Sequence, residues 1–424
     1  MIKLPKYKYS VFNNILSPMQ GIKILYNSDS QALFRLNKEL PEDLTSMPAS
    51  TLHKLLKLGI IVPDDLDETK AIYDRMDENM RSNDNFYLIV NPTLQCNCRC
   101  WYCIEHHVAQ SRIDQSTMQI IKDTIISILN RVNSLTLSFF GGEPLLEYST
   151  VVKPLMEWTK HKCSILGKKL TVMFTTNGLL LTKDMVNFFK DYTMGSFQIT
   201  LDGGRDSHNK TRIYKNNESF DKVLSSIKLL TDNNMRVVLR LNLTKDNIDS
   251  AYGIVDELRD LSEHNKRRIA LLCQQVWQDV PSGSLSREFI DIEKSFESIG
   301  IHPFRSEFNV SIQGCYADQL NCAVINYNGD IFKCSAVDYE SKNSLGNLKH
   351  IDFFNTLESQ YEKFYMLRTT NLRCRECRIL PLCMKGCYNR VVTNAQDCLY
   401  PDDSQKDDII MSIIEKMSVK KYNL

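Results

Sequence analysis

The sequence predicts an α/β fold: a partial (β/α)6 barrel of parallel strands, with a separate N-terminal region and a C-terminal cysteine-rich region. Three observations predict it. Short apolar runs of the buried-strand kind alternate with longer helical patterns across the middle of the chain. Six such strands fall short of the eight that close a barrel, so the sheet is expected to stay open. The 14 cysteines are grouped, four between 96 and 103 and eight between 315 and 398.

Residues 1–85 carry no cysteine. They mix strand-like pieces such as 23–26 with a helical stretch at 50–58, and end in the acidic, polar segment 64–85, which reads as a connecting helix or linker. Strands are expected at 86–90, 135–140, 170–175, 197–201, 237–243 and 269–276. Helices are expected at 116–132, 151–165, 183–192, 219–233 and 247–261. This alternation calls for right-handed crossovers and a parallel sheet. Ligands of such sheets bind at the C-terminal ends of the strands. Residues 306–412 have little periodicity, and bound metal could stabilise them where a small apolar core cannot. The expected organisation is therefore 1–85, 86–305, 306–412 and a tail at 413–424.

Charge is balanced, with 52 Lys and Arg against 51 Asp and Glu. No global field draws the chain to nucleic acid or to an anionic membrane, so neither is an expected partner. The basic start runs into no apolar signal segment, and no apolar run is long enough to cross a bilayer, so the chain is expected to be cytoplasmic. In that setting clustered cysteines more often ligate metal than pair as disulfides. Cys163 and Cys273 stand apart and read as packed core thiols.

The first cluster is Cys96-Asn97-Cys98-Arg99-Cys100-Trp101-Tyr102-Cys103, directly after the first strand. Cys96, Cys100 and Cys103 on one loop can hold three irons of a [4Fe–4S] cube and leave the fourth iron open to a chelating substrate. Cys98 leaves a second reading open, a closed four-cysteine zinc or iron site. Further candidates stand at strand ends: Gly141-Gly142-Glu143-Pro144, Thr175-Thr176-Asn177-Gly178 and Thr200-Leu201-Asp202-Gly203, the last followed by His208 and Arg212. Arg240 and Asn242 share a face of the fifth strand by its period of two. Each alone is ordinary turn chemistry or sheet polarity; together, in order, they outline one ligand site.

These segments resemble the radical S-adenosylmethionine superfamily, in which the Cys-x3-Cys-x2-Cys loop carries an aromatic residue, here Tyr102, before its last cysteine. The resemblance implies that the cluster on Cys96, Cys100 and Cys103 cleaves S-adenosylmethionine. It implies that Gly141, Gly142, Glu143 and Pro144 meet the amino group of that ligand. Thr200 and Arg212 would hold its carboxylate and ribose, with Asn177, Asp202 and Arg240 beside them.

The C-terminal cysteines read Cys322-x6-Gly329-x4-Cys334, then Cys374-x2-Cys377-x5-Cys383-x3-Cys387, then Cys398, with Cys315 upstream. This resembles the SPASM extension of the same superfamily. It implies two auxiliary [4Fe–4S] clusters, one on Cys315, Cys322, Cys334 and Cys387 and one on Cys374, Cys377, Cys383 and Cys398, making three clusters in all. A pair of zinc sites is the alternative.

SPASM enzymes include anaerobic sulfatase-maturating enzymes and maturases of ribosomally made peptides. The former carry aspartate immediately after the cysteine matching Cys334, where this chain has Ser335, and glutamine before the GGEP motif, where it has Phe140; Asp338 stands near. The better match is a peptide maturase. In that group a winged-helix-like N-terminal domain adds the leader of the precursor peptide as an extra strand, and residues 1–85 have a suitable size. The resemblance thus implies an oxidoreductase acting on a precursor peptide, installing a cross-link of the thioether kind, with an external electron donor of the flavodoxin or ferredoxin type. The alternatives are formylglycine formation, a non-catalytic iron or zinc peptide-binding protein, and an iron–sulfur redox sensor.

Overall fold

The structure is a computed structural model that describes residues 6–19, 21–82, 84–215, 218–282, 285–304, 315–383, 387–394, 398 and 400–422. The chain divides into two compact units. The described residues of 84–305 and 321–357 form one, and those of 1–83, 306–320 and 358–424 form the other.

The larger unit is built on one sheet. Its strands in chain order are β1 Asn85–Val90, β2 Ser134–Phe139, β3 Lys169–Thr176, β4 Met194–Leu201, β5 Val237–Leu243, β6 Ile269–Gln275, β7 His302–Pro303, β8 Cys322–Ile325, β9 Asp330–Phe332 and β10 Gly346–Asn347. Their spatial order is β7-β6-β5-β4-β3-β2-β1-β8-β9-β10. All pairs from β7 to β8 are parallel, and β8–β9 and β9–β10 are antiparallel. The six strands expected from the sequence thus lie side by side in chain order, in an open α/β sheet. Helices cross between them: α1 Gln115–Leu129, α2 Lys153–Leu166, α3 Lys183–Phe189, α4 Arg205–Thr211, α5 Ser219–Asp232, α6 Tyr252–Arg259 and α7 Ser286–Glu297. Local chemistry starts them. Asp114 caps α1 by accepting from the Thr117 N–H at 2.7 Å, and Thr182 caps α3 by accepting from Met185 N–H at 3.2 Å.

Alternation decides which face each strand buries. Leu135, Leu137 and Phe139 of β2 are fully buried in the main core, together with Ile121, Ile125 and Ile128 of α1, which recur at helical spacing. Phe139, Phe174 and Phe197 are paired across β2, β3 and β4, with ring centroids 5.1 and 5.2 Å apart. Phe189 of α3 closes on this ladder. On β5 the same alternation buries Leu239, Leu241 and Leu243 and turns Arg240 and Asn242 to the other face.

The cysteine-rich segment divides differently from the expectation of one region at 306–412. Residues 321–357 go with the sheet, because β8 pairs with β1 from Cys322↔Tyr87 to Ile325↔Val90. The expected boundary at 305/306 lies outside the described residues. The remainder shares a unit with the N-terminal residues. There the helix Glu68–Arg81 meets the helix Phe353–Thr369: Tyr361 donates to Asp77 at 2.7 Å and Arg81 pairs with Glu358 at 2.6 Å. Phe12, Ile72, Tyr73, Met76, Met80, Tyr361 and Leu380 form one buried cluster. The N-terminal part also holds a three-stranded antiparallel sheet (Asn13–Met19, Ile22–Asn27, Leu33–Leu36) and the helix Ala49–Lys57, which leads into a strand, Ile61–Pro63, paired antiparallel with Tyr7–Tyr9. Among the described residues no helix is long and apolar enough to cross a membrane.

The phenylalanine ladder sets a stability test. Phe174→Ala is expected to cost about 3–5 kcal/mol, the range for a large aromatic removed from a core, read as a lower urea midpoint. A loss under about 1 kcal/mol would contradict its place at the centre of the core.

Candidate functional site

The C-terminal ends of β1 to β5 converge on the cysteine loop that follows β1. The tightest approach is at the end of β2. A Cβ on Gly142 would stand 2.1 Å from the Gln95 carbonyl oxygen, and one on Gly141 would stand 2.5 Å from that of Thr93. Gly142 N–H donates to Thr93 O at 3.1 Å and Glu143 N–H to Gln95 O at 2.8 Å. The glycines therefore admit the chain entering the cysteine loop, a reason for glycine that the sequence did not reveal.

Glu143 is fully buried and turned inward. Its Oε1 accepts from Leu145 N–H at 3.1 Å and from Thr176 Oγ1 at 2.7 Å, and its Oε2 accepts from Asn177 N–H at 2.8 Å. Burial pushes its pKa up to about 7 against those bonds. This carboxylate, expected to face a ligand ammonium, ties the end of β2 to the end of β3. Pro144 is buried beside it. Asn177 continues the chain of contacts, donating from Nδ2 to Asn97 Oδ1 at 2.7 Å and to Cys96 Sγ at 3.7 Å.

Within the loop, Cys98 separates from its neighbours. It is 1% exposed and packs in the hydrophobic core. Its thiol donates to Cys96, and its N–H stands 3.4 Å from Cys96 Sγ. Led by that thiol bond, and against burial, Cys96 drops to about 6, while Cys98 is raised by the same bond and by burial. Cys98 is thus a donor to Cys96. Burial raises Cys100 and pushes Cys103 up to about 12.

Tyr102 links the loop to β4 and β5. Burial raises its hydroxyl well above the ordinary range, so it stays protonated. It donates to Asp202 and accepts from Arg212 Nη2 and Asn242 Nδ2, each at 2.9 Å. Arg212 Nε donates to Asp202 Oδ2 at 2.6 Å, and Arg240 Nε donates to Asn242 Oδ1 at 2.7 Å. Thr200 is paired with Arg240 across β4 and β5. The Asp202 N–H donates to His208 Nδ1 at 3.2 Å, and burial, then the Arg212 charge, pushes His208 down to about 3, so its ring is neutral. Tyr102, Asp202, Arg212, Arg240 and Asn242 therefore form one network, buried at Asp202, Arg212 and Asn242.

Three participants carried no sequence signal beyond their nearness to motif residues. Gln278 donates to the Tyr102 carbonyl at 2.9 Å. Asn97 Nδ2 and Glu105 Oε2 are buried at the loop and have no hydrogen-bond partner among the described residues. Burial, followed by the charges of Cys96 and Glu143, pushes Glu105 up to about 8. A polar ligand at the loop would satisfy both orphaned atoms.

No disulfide joins cysteines among the described residues. Cys322 opens β8, and the β8–β9 register, continued from Val324↔Phe332, sets it opposite Cys334; both are buried. Gly329, at φ 87°, makes the turn between those strands. Cys315 and Cys387 fall in the other unit. There Cys374, Cys377, Cys383 and Cys398 come together: after burial, the main influences on Cys383 are Cys377, Cys374, Arg368 and Cys398. No three His, Cys, Asp or Glu side chains among the described residues close to the spacing of a single metal ion.

Residues 90–260 match the family model described as the Radical SAM superfamily. The chain is 22% identical over 333 residues to a cysteine-type anaerobic sulfatase-maturating enzyme of Clostridium novyi, covering 71% of this chain and 87% of that protein. It is 20% identical over 364 residues to the radical SAM cyclopropyl synthase TigE of Paramaledivibacter caminithermalis, covering 78% and 73%. Among solved structures, anSMEcpe with bound AdoMet and the Cp18Cys peptide superposes with a TM-score of 0.56 at 18% identity, over 72% of this chain and 89% of that one. Streptococcus suis SuiB bound to its precursor peptide SuiA superposes with a TM-score of 0.54 at 16% identity, over 92% and 97%. Residues 90–260 therefore form a radical SAM domain, and the chain is similar over most of its length to enzymes that carry one. Enzymes of this superfamily use a [4Fe–4S] cluster and S-adenosylmethionine.

The loop geometry separates its cysteines. Cys98→Ala is expected to retain S-adenosylmethionine cleavage while Cys100→Ala abolishes it; equal behaviour would refute the roles drawn from burial. Gly142→Ala is expected to lower the iron bound at the loop and cleavage together, because its Cβ displaces Gln95. Unchanged iron in that variant would contradict the close approach.

Proposed function

We propose that the chain is a peptide-modifying radical S-adenosylmethionine enzyme that installs a cross-link, of the thioether kind, in a ribosomally made precursor peptide. The observation that carries the reading is the convergence of the cysteine loop with the Tyr102–Asp202–Arg212–Asn242 network at the strand ends. The curated relatives, a sulfatase-maturating enzyme and a cyclopropyl synthase, support the reading by their names, as do two structural neighbours that hold peptides.

In this reading Cys96, Cys100 and Cys103 hold the [4Fe–4S] cluster. The orphaned Asn97 and Glu105 atoms and the low Cys96 proton affinity suit a polar ligand and a thiolate there. The bound cluster and S-adenosylmethionine would supply a 5′-deoxyadenosyl radical that takes a hydrogen from a peptide carbon. The chain's own residues hold the geometry. Glu143 and Asn177 fix the loop against β2 and β3, Cys98 keeps a hydrogen bond on Cys96, and Tyr102 anchors the far side of the loop. Gly141, Gly142 and Pro144 line the ligand's amino end through backbone, and Thr200, Asp202, Arg212 and Arg240 stand on its ribose and carboxylate side.

Auxiliary clusters are assigned to Cys315, Cys322, Cys334 and Cys387 and to Cys374, Cys377, Cys383 and Cys398. Residues 1–85 take the leader as an added strand on an edge of their antiparallel sheet. An external flavodoxin- or ferredoxin-type protein supplies electrons.

The sulfatase-maturing reading has the C. novyi relative in its favour. Against it, the position after Cys334 is Ser335, and Asp338 is occupied as an acceptor. It takes the Asn343 side-chain N–H at 2.8 Å and the Glu340 N–H at 3.1 Å, which hold it below its ordinary range although burial raises it, a poor setting for a base.

Anaerobic reconstitution is expected to give about twelve irons per chain, three clusters of four, with 5′-deoxyadenosine released on dithionite reduction. Incubation with the precursor peptide is expected to remove about two mass units, the two hydrogens of a cross-link. A hydrazide-reactive aldehyde would instead select formylglycine formation, and bound zinc without cleavage would overturn both.

A further inference from the structure

A buried cation faces the second candidate auxiliary site. Arg368, on the helix Phe353–Thr369, is 6% exposed. Among the described residues neither Nη1 nor Nη2 has a hydrogen-bond acceptor. Its ion-pair carboxylate, Asp318, stands 3.5 Å from Nη1 without forming a hydrogen bond. A guanidinium with unmade bonds in the interior is costly unless a further acceptor completes it.

The groups it faces are thiols. The Arg368 charge acts on both Cys374 and Cys383. Tyr73 belongs to the same group. Its hydroxyl makes a hydrogen bond with the Cys374 thiol and stands 3.3 Å from the Arg368 carbonyl oxygen as a donor. Cys374 and Cys377, themselves half-buried, pack against the apolar cluster that contains Tyr73 and Tyr361, so part of the surroundings of these charges excludes water.

We propose that Arg368 is the counter-charge of the [4Fe–4S] cluster on Cys374, Cys377, Cys383 and Cys398. It donates N–H bonds to the thiolate or sulfide sulfurs, and the Tyr73 hydroxyl turns its one proton from the Arg368 carbonyl to the Cys374 sulfur. This rests on the assignment of that cluster made above. Four thiolates give the cluster a net negative charge, and reduction adds one more electron to it. A fixed cation where water is partly excluded favours the reduced form, so Arg368 raises the reduction potential and biases this site toward accepting an electron. Arginine suits the task because it stays charged and offers several N–H donors in a fixed fork.

The test is an EPR-monitored redox titration of the full chain, reconstituted anaerobically, with iron counted in each sample. Arg368→Met is expected to shift one cluster to a more negative midpoint at unchanged iron, and Arg368→Lys and Tyr73→Phe to give smaller shifts in the same direction. Full iron with unmoved midpoints would overturn the proposal. Should Arg368→Met lose iron through misfolding, pulsed EPR of the wild-type chain carrying isotope-labelled arginine decides: nitrogen coupling to a reduced auxiliary cluster is expected, and its absence is fatal to the assignment. Cys374→Ala tests the underlying cluster separately. If that variant keeps every iron, the cluster assignment itself fails and the role of Arg368 with it.

Discussion

The site depends on a contact between two stretches of backbone. Gly141 and Gly142, leaving β2, pass so close to Thr93 and Gln95 that no side chain fits between them. That contact sets where the cysteine loop leaves the top of β1. Glu143 extends it, because one carboxylate satisfies three donors from β3's end and its own turn at once. Removing water from a carboxylate is expensive, and three hydrogen bonds are what make a fully buried one tolerable. The first half of the site is thus held by main-chain geometry and a single buried acid.

The second half is held by charge. Tyr102, Asp202, Arg212 and Asn242 form a closed set in which each polar group answers another. The tyrosine is the hinge of this arrangement, since its position between two cysteines of the loop fixes the loop to strands that follow much later in the chain. Pairing Arg212 with Asp202 removes the penalty of burying either alone.

Much of the fold was legible in the sequence because it follows from patterns with a local cause. The six apolar runs became β1 to β6 in order, and period two placed Arg240 and Asn242 on the face away from the core. The strand-end motifs were legible as a set. What they do was less so: a glycine's reason can lie in a segment far away, and a glutamate's direction depends on donors that no spacing rule reports. Cys98 could not be assigned from spacing, because a core thiol and a ligand look alike until burial is known. The pairing of β8 with β1 was also hidden. Residues 322–325 are an apolar run in a cysteine-rich stretch, and the choice of a partner strand is a tertiary decision with no local trace.

That pairing has a consequence for how the chain is made. β1 is among the earliest strands of its sheet to leave the ribosome, yet its outer edge bonds to Cys322 through Ile325. During synthesis the backbone groups of residues 87–90 on that side have no strand to meet until residue 325 has emerged. Contacts of such long sequence separation slow folding, and a waiting parallel edge invites misplaced partners. The nascent barrel is therefore vulnerable for most of its translation, and the strand that closes the vulnerability is the one that delivers Cys322.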